Sequence, residues 1–175
     1  MDVVISPEKL PPRALIDTGV LIRALGQKAT DPRSKVCKDF WDAMLVAKRQ
    51  ILIAAPTITE TTRSTDFPAL PPPSVPNVLV VAFDLQAALI CAQKFPEQVV
   101  KNEQKETGLF LSYLRYDALI LACAIRYSAV LVTLEAPMSG LAAKAGLECK
   151  RPEDFEVQLE LGGMKPIFKT PTGSE

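Results

Sequence analysis

The stretch Ala14–Ile22 reads ALIDTGVLI. Its apolar lead-in has the character of a strand, and Asp-Thr-Gly after such a run is how an aspartic protease presents its catalytic carboxylate. That chemistry needs two carboxylates sharing one proton, supplied by a duplicated domain or by a two-fold dimer of a small all-β chain. The residues that follow exclude it. Thr18–Leu25, TGVLIRAL, puts Val20, Leu21, Ala24 and Leu25 at helical offsets, so the chain leaves the strand into a helix rather than a hairpin. An Asp at a strand-to-helix turn belongs to an α/β protein, and its job depends on what stands beside it.

Outward from that turn the chain alternates. Short apolar strands read at RALID (13–17), QILIAA (50–55), NVLVVAF (77–83), AVLVTL (129–134) and LECK (147–150), with helical stretches between them. Asp31 before Pro32 is a helix cap, followed by an apolar stripe of Val36, Phe40, Ala43, Met44 and Ala47; Asp84 caps DLQAALICAQKF in the same way. Continuous apolar strands, each followed by a helix, predict a parallel sheet covered on both faces, a three-layer α/β/α sandwich. Residues 1–161 make one domain on this reading, with a mobile tail over 162–175, GGMKPIFKTPTGSE being rich in Gly, Pro, Thr and Ser. DFPALPPPSVPN, with five prolines between Asp66 and Asn77, is expected to be a stiff surface connection.

Composition removes whole classes of chemistry. There is no His, so imidazole bases, Ser-His or Cys-His pairs and His-ligated zinc are excluded. The four cysteines, Cys37, Cys91, Cys123 and Cys149, have no C-x-x-C spacing and read as small apolar residues in a reducing compartment. Twenty basic residues balance twenty acidic ones, so no global charge draws the chain to nucleic acid or membrane. The N-terminus MDVVISPEKLPPR is unlike a signal peptide, and the longest wholly apolar run, Ala118–Ile125, is too short to span a bilayer. A soluble, cytoplasmic protein is expected. Neither a G-x-G-x-x-G nor a G-x-x-x-x-G-K-[ST] phosphate loop is present.

Four acids stand apart from the plain caps. Asp17 ends the first strand; Glu60 lies in PTITETTR on the helix after the second; Asp117 is read as opening the buried helix DALILACAIRY; Glu135 follows AVLVTL. All sit at strand carboxyl ends or helix N-terminal ends, the rim where open α/β sheets build sites. Carboxylates gathered there repel one another unless a cation joins them, and all-oxygen ligation points to Mg²⁺ or Mn²⁺.

The blocks LIDTGVLIRAL, IAAPTITETTR, RYDALILACAIRYSAVLVTLE and GLECKRPEDF resemble successive blocks of the PIN domain, the nuclease fold of VapC-type toxins, over about Leu15–Phe155. The resemblance implies a five-stranded parallel sheet of order 3-2-1-4-5 and a metal site of three or four acids. Asp17, Glu60 and Asp117 match the three principal positions, and Glu135 falls where a fourth acid, usually Asp in T-x-D, is expected. That order makes Asp17 and Glu135 neighbours. Three departures stand out: Glu135 is a methylene longer than Asp, Leu134 replaces a residue that is often polar or basic, and the Pro-rich loop replaces a longer helical excursion used in dimer and antitoxin contacts.

The implied activity is metal-assisted phosphodiester hydrolysis of single-stranded RNA, with the four acids as catalytic residues and metal ligands. Thr133 would orient Asp17 or a metal-bound water, and Arg115 would contact a phosphate. The resemblance also implies a homodimer and a toxin role with an antitoxin partner. Two alternatives stay open: a non-catalytic PIN-like module that binds RNA or protein, and a receiver-type phosphoacceptor, which lacks its usual pair of acids after the first strand.

Overall fold

A computed structural model describes residues 3–26, 31–61 and 75–158. The sheet forms where the sequence is most continuously apolar. Strands β2 (Arg13–Ile16), β3 (Gln50–Ala54), β4 (Val78–Val81), β5 (Val130–Val132) and β6 (Cys149–Lys150) pair in the order β4-β3-β2-β5-β6, every pair parallel. Counted from the Arg13 strand this is 3-2-1-4-5, as expected. Register aligns Ile16 with Val132, so β2 and β5 end side by side where the strand order reverses.

Side-chain alternation divides the sheet between two cores. Leu15, Leu52, Ala54 and Leu131 face one layer, made of α4 (Leu85–Lys94), α5 (Glu97–Thr107), α6 (Leu111–Arg126) and α7 (Ala136–Lys144). Ala14, Ile16, Ile51, Ile53 and Val132 face the other, where α1 (Thr18–Leu25) and α2 (Pro32–Val46) pack. The short helix α3 (Ala55–Thr61) follows β3 directly. On α2 the buried stripe is Cys37, Phe40, Trp41 and Met44, turned from the expected one because Trp41 takes the place assigned to Ala43. Asp31 and Asp84 are the caps the sequence indicates, accepting from Ser34 and Ala87 N–H at 2.9 and 2.8 Å.

Three features differ from expectation. Strand β4 is an edge strand whose Leu79 and Val80 are 46% and 60% exposed, so sheet coverage on both faces stops one strand short. A separate two-stranded antiparallel sheet joins β1 (Val3–Ile5) to β7 (Glu156–Gln158), and the 3₁₀ turn Pro152–Phe155 stacks Phe155 on Phe40 with ring centroids 5.0 Å apart. Helix α6 begins six residues before Asp117, because Leu111 and Leu114 extend its apolar stripe by two turns. The cysteines are free thiols, Cys37 and Cys123 buried. Among the described residues no helix is long and apolar enough to cross a membrane. Most of the Pro-rich connection and the tail lie outside the described residues.

Candidate functional site

Asp17 remains in the sheet by its backbone, its N–H donating to Val132 O at 3.0 Å, while its extended φ,ψ of −70°, 157° starts α1. Its carboxylate does not cap in the ordinary way. Asp31 and Asp84 each accept from an N–H three residues on, whereas Asp17 Oδ1 accepts from the adjacent Thr18 N–H at 2.7 Å. The other oxygen, Oδ2, accepts from Thr133 Oγ1 at 2.8 Å. The same Thr133 hydroxyl accepts the Glu135 N–H at 3.0 Å, which ties the end of β5 to the start of α7. On the far side, the Thr18 hydroxyl donates to Glu60 Oε2. A continuous chain of polar contacts therefore runs from Glu60 through Thr18, Asp17 and Thr133 to the Glu135 backbone.

Gly19 lies beneath this chain. A Cβ built there would stand 3.6 Å from Asp17 Oδ2 and 3.7 Å from Glu135 Oε1, so both carboxylates come down on one bare patch of α1. Asp117 reaches the group from α6. It stands on the second turn of its helix rather than opening it, a correction to the sequence reading, and it is half-buried.

Electrostatics link all four. Asp17 is 4% exposed, and its pKa is pushed up to about 7, first by burial and then by Glu135 and Glu60, against the pull of its Thr133 and Thr18 donors. Asp117 is pushed up to about 8 by burial, then by Asp17, Glu135 and Glu60. Asp31, exposed, and Asp84, partly exposed, are bonded to helix N–H groups and are moved the other way. Three Asp residues that look alike in sequence, each before a helix, thus divide by environment.

Arg115 is not brought to this group by any described contact. Its guanidinium forks onto Glu97 at 2.6 and 3.3 Å, at the start of α5. Thr18 and Gly19 carry the site's geometry without having been singled out in sequence. The D-T dipeptide at a strand end was the available signal, since it puts a hydroxyl beside the carboxylate.

The donor set fits a hard divalent cation in kind: all oxygen, all carboxylate, with two members pushed up in pKa by burial first and by the other acids second. In position the fit is incomplete. Among the described residues no group of three or more His, Cys, Asp or Glu is arranged as a ready ligand set. The acids converge without closing.

No family model and no curated protein matches this chain. Solved structures do. VapBC2 from Rickettsia felis, bound to a DNA fragment from its promoter, is 13% identical with a TM-score of 0.50 over 79% of this chain and 98% of that one. FitAcB from Neisseria gonorrhoeae is 20% identical with a TM-score of 0.53, over 79% and 97%. FitAB bound to the IR36 DNA fragment is likewise 20% identical, with a TM-score of 0.51 over 84% and 97%. The class these observations define is a three-layer α/β protein with a PIN-like fold. Within it, this chain carries its acids at the switch point between β2 and β5.

Proposed function

We propose that this protein is a metal-dependent endoribonuclease that hydrolyses phosphodiester bonds of single-stranded RNA, with Asp17, Glu60, Asp117 and Glu135 as its acidic centre. The observation that carries this reading is the mutual loading of those acids: burial and each other's charge raise Asp17 to about 7 and Asp117 to about 8. Such a group is costly unless a cation or a proton neutralises it.

Mg²⁺ or Mn²⁺ held there would lower the pKa of a water and neutralise charge on the scissile phosphate. The chain's own residues set the stage for this. Thr133 and the Thr18 N–H fix the Asp17 carboxylate, the Thr18 hydroxyl turns Glu60 toward it, and Gly19 leaves the space between Asp17 and Glu135 open. The PIN-like fold shared with VapBC2 and FitAcB supports a toxin-type role with an antitoxin partner; a homodimeric state is part of the same proposal.

A second reading has one observation in its favour. The absence of a closed ligand set among the described residues suits a PIN-like module that binds RNA or protein without cutting it. The test uses Mn²⁺ in thermal unfolding and in cleavage of a single-stranded RNA pool. On the nuclease reading Mn²⁺ raises the wild-type midpoint and supports cleavage, and Asp17→Asn abolishes both. A wild type that gains neither from Mn²⁺ leaves the binding module.

A further inference from the structure

Phe110 and Tyr113 are 73% and 59% exposed, large apolar rings that the core does not use. They pair edge to face, ring centroids 6.0 Å apart at 66°, so that broad ring faces remain open to solvent. Their place on the helix gives them meaning. Residues 110, 113, 117, 121 and 124 recur at spacings of three and four, which makes them one stripe running along α6 and its N-cap Phe110.

Toward the C-terminal end of that stripe, Leu121 and Ala124 are fully buried in the core beneath the sheet. Next comes Asp117, near enough to Asp17 at the rim for their charges to interact. After α6 the chain enters the sheet edge opposite that rim, at Val130, so the helix runs antiparallel to β5 and its first turn stands beyond the strand ends. The stripe that faces the sheet lower down therefore faces open rim at its top. There it carries two aromatic rings, one and two turns from Asp117, about 5 and 10 Å along the axis.

We propose that Phe110 and Tyr113 form a base-stacking subsite for single-stranded nucleic acid, holding the nucleotides that flank the phosphate at the acid centre. This rests on the nuclease reading above. The occupant follows from continuity with the acids: whatever lies on Asp117 passes over the same stripe. Two or three nucleotides stacked at about 3.4 Å each bridge the distance from acid to rings. Every base presents a π-face, so such a platform holds a strand without reading its sequence, and purines, with the larger face, bind it more tightly.

Binding is measured by anisotropy of labelled A12 and U12 RNA in an Asp17→Asn background, kcat and KM in the Asp17 protein with Mn²⁺, and mass by light scattering. Phe110→Ala and Tyr113→Ala should each weaken binding and raise KM about five- to tenfold with kcat unchanged, the low end for base stacking on an aromatic side chain. Tyr113→Trp should restore wild-type affinity, and Tyr113→Leu, apolar but without a π-face, should behave as Ala. All are surface changes, checked for folding by circular dichroism. Leu performing as well as Tyr, or variants that lower the oligomer mass while binding RNA normally, would overturn the platform and make the rings a protein-docking face. A wild type that neither binds nor cleaves RNA would sink the nuclease reading and the platform together; one that cleaves with all variants unaffected would sink the platform alone.

Discussion

Two carboxylates in this protein are almost equally buried and are treated in opposite ways. Glu103 on α5 is 3% exposed, Asp17 at the end of β2 is 4%. Glu103 meets the Lys144 ammonium at 2.6 Å, and that ammonium also binds Glu106 at 2.7 Å, so α5 and α7 are fastened by a cation from the chain itself. The close approach needs a glycine opposite: a Cβ on Gly140 would sit 3.0 Å from Glu103 Oε1. Among the described residues Asp17 has no such partner. Its donors are a hydroxyl and an N–H, and its charged neighbours are acids. A buried charge is paired or it is neutralised by a proton. For Glu103 the answer is built in, which makes it structure; Asp17 is left among acids that push its pKa up, which makes it a candidate site.

Removing the charge at Asp17 tests that contrast most strongly. Asp17→Asn should cut RNA turnover with Mn²⁺ by at least about 100-fold, above the loss usual for an outer-shell partner of a metal, and should erase the Mn²⁺-dependent rise in thermal midpoint. The metal-free variant should be no less stable than wild type, since repulsion with Glu135 and Glu60 is relieved. Retention of the full Mn²⁺ response would move the ion elsewhere and dissolve the distinction from Glu103.

Glu135 comes next. It is exposed, it begins α7 without a side-chain cap bond, and its Oε1 comes down beside Gly19 with Asp17. Glu135→Gln should lower turnover about tenfold with folding intact, while Glu135→Asp keeps most of the rate, because charge is what the ion requires. Initial rates on single-stranded RNA decide it. Equal rates for wild type and Glu135→Gln, with Asp17→Asn dead, would leave a three-acid centre.

The sheet was legible because its strands are continuous apolar runs, and the strand order followed from resemblance in the blocks around Asp17 and Asp117. The acids were legible as positions but not as environments. Asp17, Asp31 and Asp84 all precede helices, and only the fold shows that one is buried among like charges while two are solvated caps. Asp117 reads as a helix start because the continuously apolar run DALILACAIRY begins with it, yet Leu111 and Leu114 carry the stripe two turns further back. Arg115 was assigned by proximity in sequence; its neighbour in space is Glu97, on a helix whose polar surface gave no sign of that pairing. The β1–β7 pair joins segments about 150 residues apart, and local pattern does not report such partners.

The pH dependence of stability follows from the raised carboxyls at the rim, Asp17 and Asp117. A carboxyl whose folded pKa is raised keeps its proton longer in the native state. It costs nothing below its unfolded value, and the cost grows as pH climbs to the folded one. Metal-free protein should therefore lose stability between about pH 4 and pH 8 through Asp17 and Asp117. From 3.8 to about 7, Asp17 alone accounts for up to about 4 kcal/mol. Urea unfolding in EDTA across that range, wild type against Asp17→Asn, should show the two curves diverging as pH rises. Parallel curves would mean that Asp17 ionises as a solvated acid does. Mn²⁺ should narrow the gap most at high pH, where protons compete least for the carboxylates.

The smallest expected effect falls on the other side of the comparison. Lys144 is raised above its ordinary range by its bonds to Glu103 and then Glu106, so its contribution is fully present at neutral pH and is lost only in strong alkali. Lys144→Met should destabilise modestly, by less than the breaking of a fully buried pair because the lysine is two-fifths exposed. The loss comes chiefly from leaving Glu103 buried without its cation, so adding Glu103→Gln should recover part of it, a buried amide being cheaper to desolvate than a carboxylate. Neither change touches the acids at the rim, and RNA turnover and the Mn²⁺ response should match wild type. Urea midpoints for the two single variants and the double close the cycle. An additive double variant would show that Glu103 does not depend on Lys144, and the two buried carboxylates would then differ only in which of them has acidic neighbours.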